Sequence, residues 1–325
     1  MHYLTGHWGR DVFTTACLVP AVGPVVLATA YQPRPDVTAD RAITFAADRI
    51  GTLVDDQAAE AVKALLPHLD ELRSLGLDEI PRPGLLHDRA IHDLSDGLLG
   101  LRRCKDPDEV AVMRRAIAGC EAAFAAARRM LIPGLTEVQL YARIQAAAVE
   151  TVGEPIGEFG NDFQAGTPGG PPRARQVEAG ELIPLDLSVV VRGYCSDLCR
   201  TFAVGGAPST AQREAHRLVV AALAEVERRI RPGVSCRQVF ETTKAALDGR
   251  NGWRFEHHLG HGIGLAPHEA PRLNAHWDDT FRAGDVITVE PGLYGDDLRG
   301  GVRIEEEYLV TEGGVERLSH FPTEL

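Results

Sequence analysis

Toward its C-terminal end the chain reads EHHLGHGIGLAPHEAPRL over residues 256–273, which places His257, His258, His261 and His268 within twelve residues. That is a third of the chain's 12 histidines, set among glycines and apolar residues, with no cysteine nearby and no HExxH spacing. Four carboxylates stand in equally unexpected company. Asp186 lies in ELIPLDLSVV, Asp197 in YCSDLCRTFAV, Glu290 in DVITVEPGLY and Glu305 in GGVRIEEEYLVT, all runs rich in strand-forming apolar residues. If Arg192-Gly193 is a two-residue hairpin turn, Val191 faces Tyr194, Ser188 faces Asp197, and Asp186 lies diagonal to Asp197 on one face. Diagonal neighbours sit about 7–8 Å apart, so short carboxylates there can converge on one or two cations. Burying one unpaired carboxylate costs several kcal/mol, and four facing one another cannot all stay ionised without cations. With His261 the set becomes two Asp, two Glu and one imidazole, whose four negative charges a pair of divalent ions balances. Oxygen-rich ligation with one imidazole suits Mn²⁺, Co²⁺, Fe²⁺ or Zn²⁺. Two such ions about 3.5–4 Å apart can share a hydroxide and make it nucleophilic near neutral pH. Taken singly, each residue also has an ordinary place. Asp186 could face solvent, Asp197 could pair with Arg200 or Arg192, His261 could be a core histidine, and Glu305 could open a solvated triplet with Glu306 and Glu307.

These groups must be positioned by regular elements, and the pattern supplies them. Residues 1–103 read as a small α/β unit, with strands in VFTTACLVP and GPVVLATAY separated by a turn at Gly23-Pro24. A helix follows in DQAAEAVKALLPHLDELRSLGL, apolar at Val62, Leu65, Leu66 and Leu69, and PRPGLLHD breaks the pattern. A second domain, residues 104–325, opens on a helix that starts at Asp106-Pro107, runs to about Arg129 and stops before Pro133-Gly134. Thr136 and Gln139 have capping-box spacing for the next helix. From Glu181 the period becomes two through the Arg192-Gly193 hairpin, and helices follow at about 208–230 and 235–250. After the histidine-rich stretch, DVITVEPGLY and GGVRIEEEYLVT read as two strands joined by YGDDLRGG. Both strand pairs carry inward acids, which hints at a duplicated architecture.

Composition excludes several classes. The 325 residues carry 46 acidic against 34 basic side chains, a net charge of −12, with no basic stripe for nucleic acid. Six cysteines show neither CxxC nor paired spacing, so free thiols in a reducing compartment are expected. No signal-peptide pattern opens the chain and no run of about 18 apolar residues occurs, so neither export nor a membrane span is expected and the cytoplasm is the expected location.

Together GHGIGLAPHE, VEPGLY, GGVRIEEE and LDLSVVVRGYCSDLCRTF resemble the pita-bread metallopeptidase family of Xaa-Pro aminopeptidases, prolidases, methionine aminopeptidases and creatinase. KDPDEVAVMRRA looks like the helix that opens that family's catalytic domain, and MHYLTGHW like an element of its creatinase-type N-terminal domain, here shortened. The resemblance implies an α+β pita-bread fold and a homodimer. It also implies a dinuclear-metal hydrolase that cleaves Xaa-Pro peptide bonds by a metal-bridging hydroxide. Asp186 would hold one metal, Asp197 and Glu305 would bridge both, and His261 with Glu290 would complete the second. Glu290 would carry a proton to the leaving amine, and His268 would hydrogen-bond the tetrahedral intermediate. His257 and Arg303 match positions on the proline or carboxylate side of the pocket, His257 also counting among the catalytic groups, while His258 has no family role and reads as structural. One departure stands out. Family peptidases carry a further histidine whose place falls near Gly169, and no histidine occurs between His92 and His216. Either Arg173 or Arg175 substitutes, or the substrate is a small amide of another kind, cleaved by a C–N hydrolase or lyase. A non-catalytic binding protein is the third reading.

Overall fold

The computed structural model describes residues 2–8, 14–45, 56–78, 84–86 and 88–325. The chain divides into two compact units, Met1–Arg102 and Arg103–Leu325. In the first, helix α1 (His2–Thr5) precedes strands β1 (Ala16–Leu18), β2 (Val26–Thr29) and β3 (Arg41–Thr44). β1 and β2 pair antiparallel, and β2 pairs parallel with β3. Helix α2 (Gln57–Leu65) is capped by Asp56, whose carboxylate accepts from the Ala59 amide. It is shorter than its apolar pattern suggests, because Pro67 falls in a 3₁₀ turn and the chain then becomes strand β4 (Ser74–Leu77). β5 (Ala90–Asp93), parallel to β4, and α3 (Ser95–Arg103) complete this unit's elements. Val12 and Phe13 of the first expected strand, and Pro81 to Pro83, lie outside the described residues.

The second unit is built from two long hairpins, each backed by a helix pair. Helix α4 (Pro107–Met130) begins with Glu109 accepting from the Asp106 amide at 2.8 Å. Helix α5 (Glu137–Val152) starts in the Thr136–Gln139 capping box. Their apolar faces, with Met113, Ile117, Phe124, Leu140 and Ile144, pack against Leu185, Leu187 and Leu198. Those leucines belong to the first hairpin: β6 (Leu182–Leu187), β7 (Val190–Val191), β8 (Tyr194–Cys195) and β9 (Leu198–Ala203). Leu187 pairs with Leu198 and Val191 with Tyr194, so one register runs from base to turn.

Helices α6 (Thr210–Arg229) and α7 (Cys236–Leu247) back the other half. Val219, Leu223, Val226 and Phe240 pack with Ile287, Val289, Leu293 and Tyr308. Here strands β10 (Gly260–Gly262), β11 (Glu269–Leu273), β12 (Val286–Val289), β13 (Gly292–Gly295), β14 (Gly300–Arg303), β15 (Glu306–Thr311) and β16 (Gly314–Arg317) follow in chain order. The two long strands expected from the sequence are each interrupted. β12 pairs with β15 and β13 with β14 in one shared register, and the breaks fall beside Glu290 and Glu305. β12 and β15 lie in an antiparallel sheet ordered β11-β10-β12-β15-β16.

Two strands press against the short central β10 from either side. A Cβ on Gly260 would come within 2.1 Å of the Thr288 carbonyl oxygen, and one on Gly262 within 2.1 Å of the Ala270 oxygen. Glycines therefore flank His261 because the neighbouring backbones leave no room for a side chain.

The halves are pinned by Arg200, which is fully buried on β9. Its Nη1 donates to the carbonyls of Cys199 at 2.9 Å and Glu305 at 2.7 Å, and its Nη2 to Glu306 at 2.8 Å and to the Phe321 carbonyl at 2.7 Å. Nε donates to the Pro322 carbonyl at 3.2 Å. Removing one partner of a buried ion pair strands the other, at a cost of about 3–5 kcal/mol. Arg200→Met is therefore expected to lose about that much stability in urea unfolding. A loss below about 1 kcal/mol, the scale of an exposed pair, would show that the pin is not structural.

Candidate metal centre

Asp197, Glu290 and Glu305 fall at interruptions of the hairpins and Asp186 one residue before the end of β6, and all four amides are held by groups outside the hairpin ladders. Asp186 N donates to the Asp162 carbonyl at 3.1 Å, and Asp197 N to the Glu307 carboxylate at 2.7 Å. Glu290 N donates to the Leu259 carbonyl at 2.9 Å, and Glu305 N to the Cys199 carbonyl at 3.0 Å. Each carboxylate thus leaves a backbone fixed on a neighbouring strand.

They meet His261. Three sets can each be drawn with one ligand atom per residue and all atoms within 4.8 Å: Asp186–Asp197–Glu305, His261–Glu290–Glu305 and Asp197–His261–His268. Glu305 and Asp197 each belong to two sets. His261 Nε2 lies 3.8 Å from both Asp197 Oδ2 and Glu290 Oε1, with its Nδ1 against the Gly262 carbonyl at 3.1 Å. Asp197, His261, Glu290 and Glu305 are buried, Asp186 nearly so. Among the described residues, Asp186 Oδ1, Asp197 Oδ1 and both oxygens of Glu305 have no hydrogen-bond partner.

Electrostatics follow from that crowding. Burial, then the Glu305 and Asp186 charges, push the Asp197 carboxyl well above the usual carboxylate range. Burial, then Glu290 and Asp186, do the same to Glu305. Burial raises Asp186 too, against the opposing pull of Arg303. At Glu290 burial is outweighed by the surrounding imidazoles, His258 foremost, and the carboxyl falls to about 2. Burial lowers His261 to about 4, which leaves a neutral imidazole able to ligate.

The other histidines divide differently from the sequence-based expectation. His268 is exposed, its ring 4.1 Å from that of His261, and it makes no hydrogen bond among the described residues. Its loop is anchored by Glu269, which pairs with buried Lys105 at 2.9 Å and accepts from the Ala266 amide. Both ring nitrogens of His257 are engaged, by the His258 carbonyl at 2.7 Å and the Tyr294 hydroxyl at 2.8 Å. His258, expected to be incidental, has Nδ1 only 3.0 Å from Glu290 Oε1, and that contact raises its basicity. Its neighbours in sequence gave no sign of this, because the Glu290 carboxylate arrives from 32 positions away.

Arg303 also departs from expectation. Its Nη2 donates to Asp186 at 2.7 Å and to Asp162, and its Nη1 to the Tyr294 hydroxyl at 3.1 Å. The guanidinium braces a cluster carboxylate instead of presenting a fork to substrate. Asp162, which the sequence analysis did not single out, accepts from the Gly170 amide at 2.6 Å. A side chain at Gly169 would collide with that carboxylate at 2.4–2.5 Å, so the histidine-free position is filled from behind by Asp162. Neither arginine suggested as a substitute is available. Arg173 makes a two-pronged pair with buried Glu137, and Arg175 with Glu181. The alternative partners proposed for Asp197 are likewise taken, Arg192 by Glu154 and Arg200 by Glu306. Glu306 and Glu307 are fully buried, not a solvated run.

A cavity of about 450 Å³ opens beside the cluster, bordered by His257, His258, His261 and His268 and by Arg272 and Trp277. No disulfide forms among the described residues. Among the described residues no helix is long and apolar enough to cross a membrane.

Residues 111–312 match metallopeptidase family M24. The chain is 30% identical over 248 residues to an uncharacterized peptidase, YqhT, of Bacillus subtilis, covering 74% of this chain and 69% of that one. It is 27% identical over 274 residues to a Xaa-Pro dipeptidase of Pyrococcus horikoshii, covering 79% and 76%. In three dimensions it resembles the prolidase from Pyrococcus horikoshii with a TM-score of 0.78, at 23% identity, over 100% of this chain and 92% of that one, a likeness of fold. Family match, relatives and architecture agree, and the chain belongs to metallopeptidase family M24, as a metal-dependent hydrolase on the pita-bread fold.

Proposed function

We propose that the protein is a dinuclear-metal peptidase that cleaves the bond between an N-terminal residue and a following proline. The observation that carries this is the buried convergence of Asp186, Asp197, Glu290 and Glu305 on His261, with four carboxylate oxygens left unpartnered. Buried polar atoms are nearly always satisfied, and orphaned anionic oxygens facing one another are a mould for cations. The donor set fits a pair of divalent ions. Asp186 would hold one, His261 and Glu290 the other, and Asp197 and Glu305 would bridge. Such ions would supply Lewis-acid activation of water and of the scissile carbonyl near neutral pH. The peptidase specificity is supported by the Xaa-Pro dipeptidase and prolidase among the similar proteins.

The chain's own groups divide the remaining work. Glu290, held ionised by the imidazoles around it, accepts the proton of the attacking water and returns it to the proline nitrogen. His258 steadies Glu290 Oε1 through the exchange. His268, exposed and making no hydrogen bond among the described residues, donates to the oxygen that gains charge as the carbonyl turns tetrahedral. His257, locked between the His258 carbonyl and Tyr294, forms a wall of the pocket. Arg303 and Asp162 keep Asp186 in place.

Two measurements test this. A substitution Asp197→Ala is expected to abolish release of the residue before proline and to lower the bound cation to fewer than two per chain by elemental analysis. Full activity in that variant would exclude the assignment. In His268→Ala cation content should persist while kcat falls by about 10²–10³-fold, the usual size for one oxyanion donor.

The pH behaviour of chelated protein gives an independent check. Asp197 and Glu305 have folded-state acidities shifted upward, so their contribution to stability is full below the ordinary carboxylate range near pH 4 and is lost as pH rises through the shifted values. Because His261 titrates in the opposite sense over the same span, the readout is the difference between cation-free wild type and Asp197→Asn, and the variant's advantage in Tm should grow from pH 5 to pH 7. In the cation-loaded protein the same substitution should lower Tm. Equal effects in both states would show that no cation belongs among these carboxylates.

A further inference from the structure

Arg303 sets an electrostatic problem at the edge of the metal centre. Its Nη2 donates to Asp186 at 2.7 Å, so a full positive charge touches one of the carboxylates that gather around His261. A fixed cation in a poorly polarisable interior opposes the binding of another nearby, and Arg303 cancels one of the four negative charges of the cluster. The guanidinium's hydroxyl partner, Tyr294 at 3.1 Å, brings no charge to offset it. Asp162 does. The same Nη2 donates to Asp162 Oδ2, and the pair is largely buried, with side-chain exposures of 9% for Arg303 and 20% for Asp162.

The backbone sets Asp162 there through close contacts. Asp186 N donates to the Asp162 carbonyl and Asn161 N to the Asp186 carbonyl, both at 3.1 Å, which lays residues 161–162 alongside β6. A Cβ on Gly160 would stand 2.2 Å from the Asp186 carbonyl oxygen, so the approach of the two segments requires glycine. From the other side the Gly170 amide donates to Asp162 Oδ1 at 2.6 Å, and Gly169 leaves the space that the carboxylate fills. Both oxygens of Asp162 are thus engaged, one by an amide and one by the guanidinium. Asp186 is divided instead. Arg303 holds its Oδ2, while Oδ1 is buried without a hydrogen-bond partner among the described residues. A carboxylate fixed through one oxygen offers the other as a single, oriented ligand.

We propose that Asp162 is a positioning residue for the cation that Asp186 would hold. It offsets the charge of Arg303, so the guanidinium orients Asp186 without weakening the carboxylate's hold on the metal. This rests on the two-cation reading above. The ligands of the other cation, His261 and Glu290, face imidazoles instead, so Asp162 acts on one site and not on both.

Calorimetric titration of the chelated full chain with Mn²⁺ reads both sites without any turnover. The wild type should take up two cations. Asp162→Asn, which keeps the shape of the side chain, should bind one of them about 10–100-fold more weakly, the usual effect of removing a group that supports a metal ligand, and the other unchanged. In Co²⁺-loaded Asp162→Asn, paramagnetically shifted imidazole protons should persist and so place the retained ion at His261. Adding Arg303→Met to Asp162→Asn removes the uncompensated charge and should regain part of the lost affinity. Unchanged affinities in Asp162→Asn, equal weakening of both cations, or no recovery in the double variant would each overturn the proposal. A wild type that takes up fewer than two cations fails the two-cation reading, and the role of Asp162 falls with it.

Discussion

Four carboxylates gathered away from water set the terms for the catalytic unit. Their mutual repulsion at close range in a poorly polarisable interior is far larger than any single hydrogen bond, so the backbone that carries them must be held by something other than their own preference. The structure meets this with cross-strand amides. Asp197, Glu290 and Glu305 each stand where their hairpin ladder is interrupted, Asp186 stands one residue before the end of β6, and each amide is caught by a group from a different segment. The helix pairs then close the apolar side of each hairpin, and the pair of glycines around His261 brings three strands close enough for an imidazole to reach the acids.

Much of this was legible from residue order. Alternation and the Arg192-Gly193 turn placed Val191 opposite Tyr194, the register that the structure has, and the capping residues located α4 and α5. The carboxylates stood out because acids in runs of strand-forming residues contradict their surroundings. What alternation could not reveal was the fate of Glu305, Glu306 and Glu307. Three consecutive acids should put at least one in water, but this segment is covered on both faces, Glu306 pairs with Arg200, and one oxygen of Glu307 accepts from the Asp197 amide. Asp162 was invisible for another reason: it lies in a stretch without periodicity, and its meaning comes only from Arg303, 141 positions away.

The two arginines nearest the cluster illustrate how burial decides a role. Arg303 is buried and its fork is divided between two carboxylates and a phenol, so it acts as part of the scaffold. Arg272 belongs to the cavity wall and rests on an aromatic ring. Sequence similarity drew attention to the first, because it sits in a strongly patterned run. The second becomes visible only when β11 is laid beside β10.

The Arg200 pin has a temporal side. Its anionic partner Glu306 and the carbonyls of Glu305, Phe321 and Pro322 all lie beyond residue 304, so during synthesis the first hairpin leaves the ribosome more than a hundred residues before the group that neutralises its central charge. Until then β9 carries an unmatched cation where the finished protein has dry interior. The first hairpin consequently reaches its final packing only after residues 305–322 have been made, and the pocket that it shares with the second hairpin closes with them.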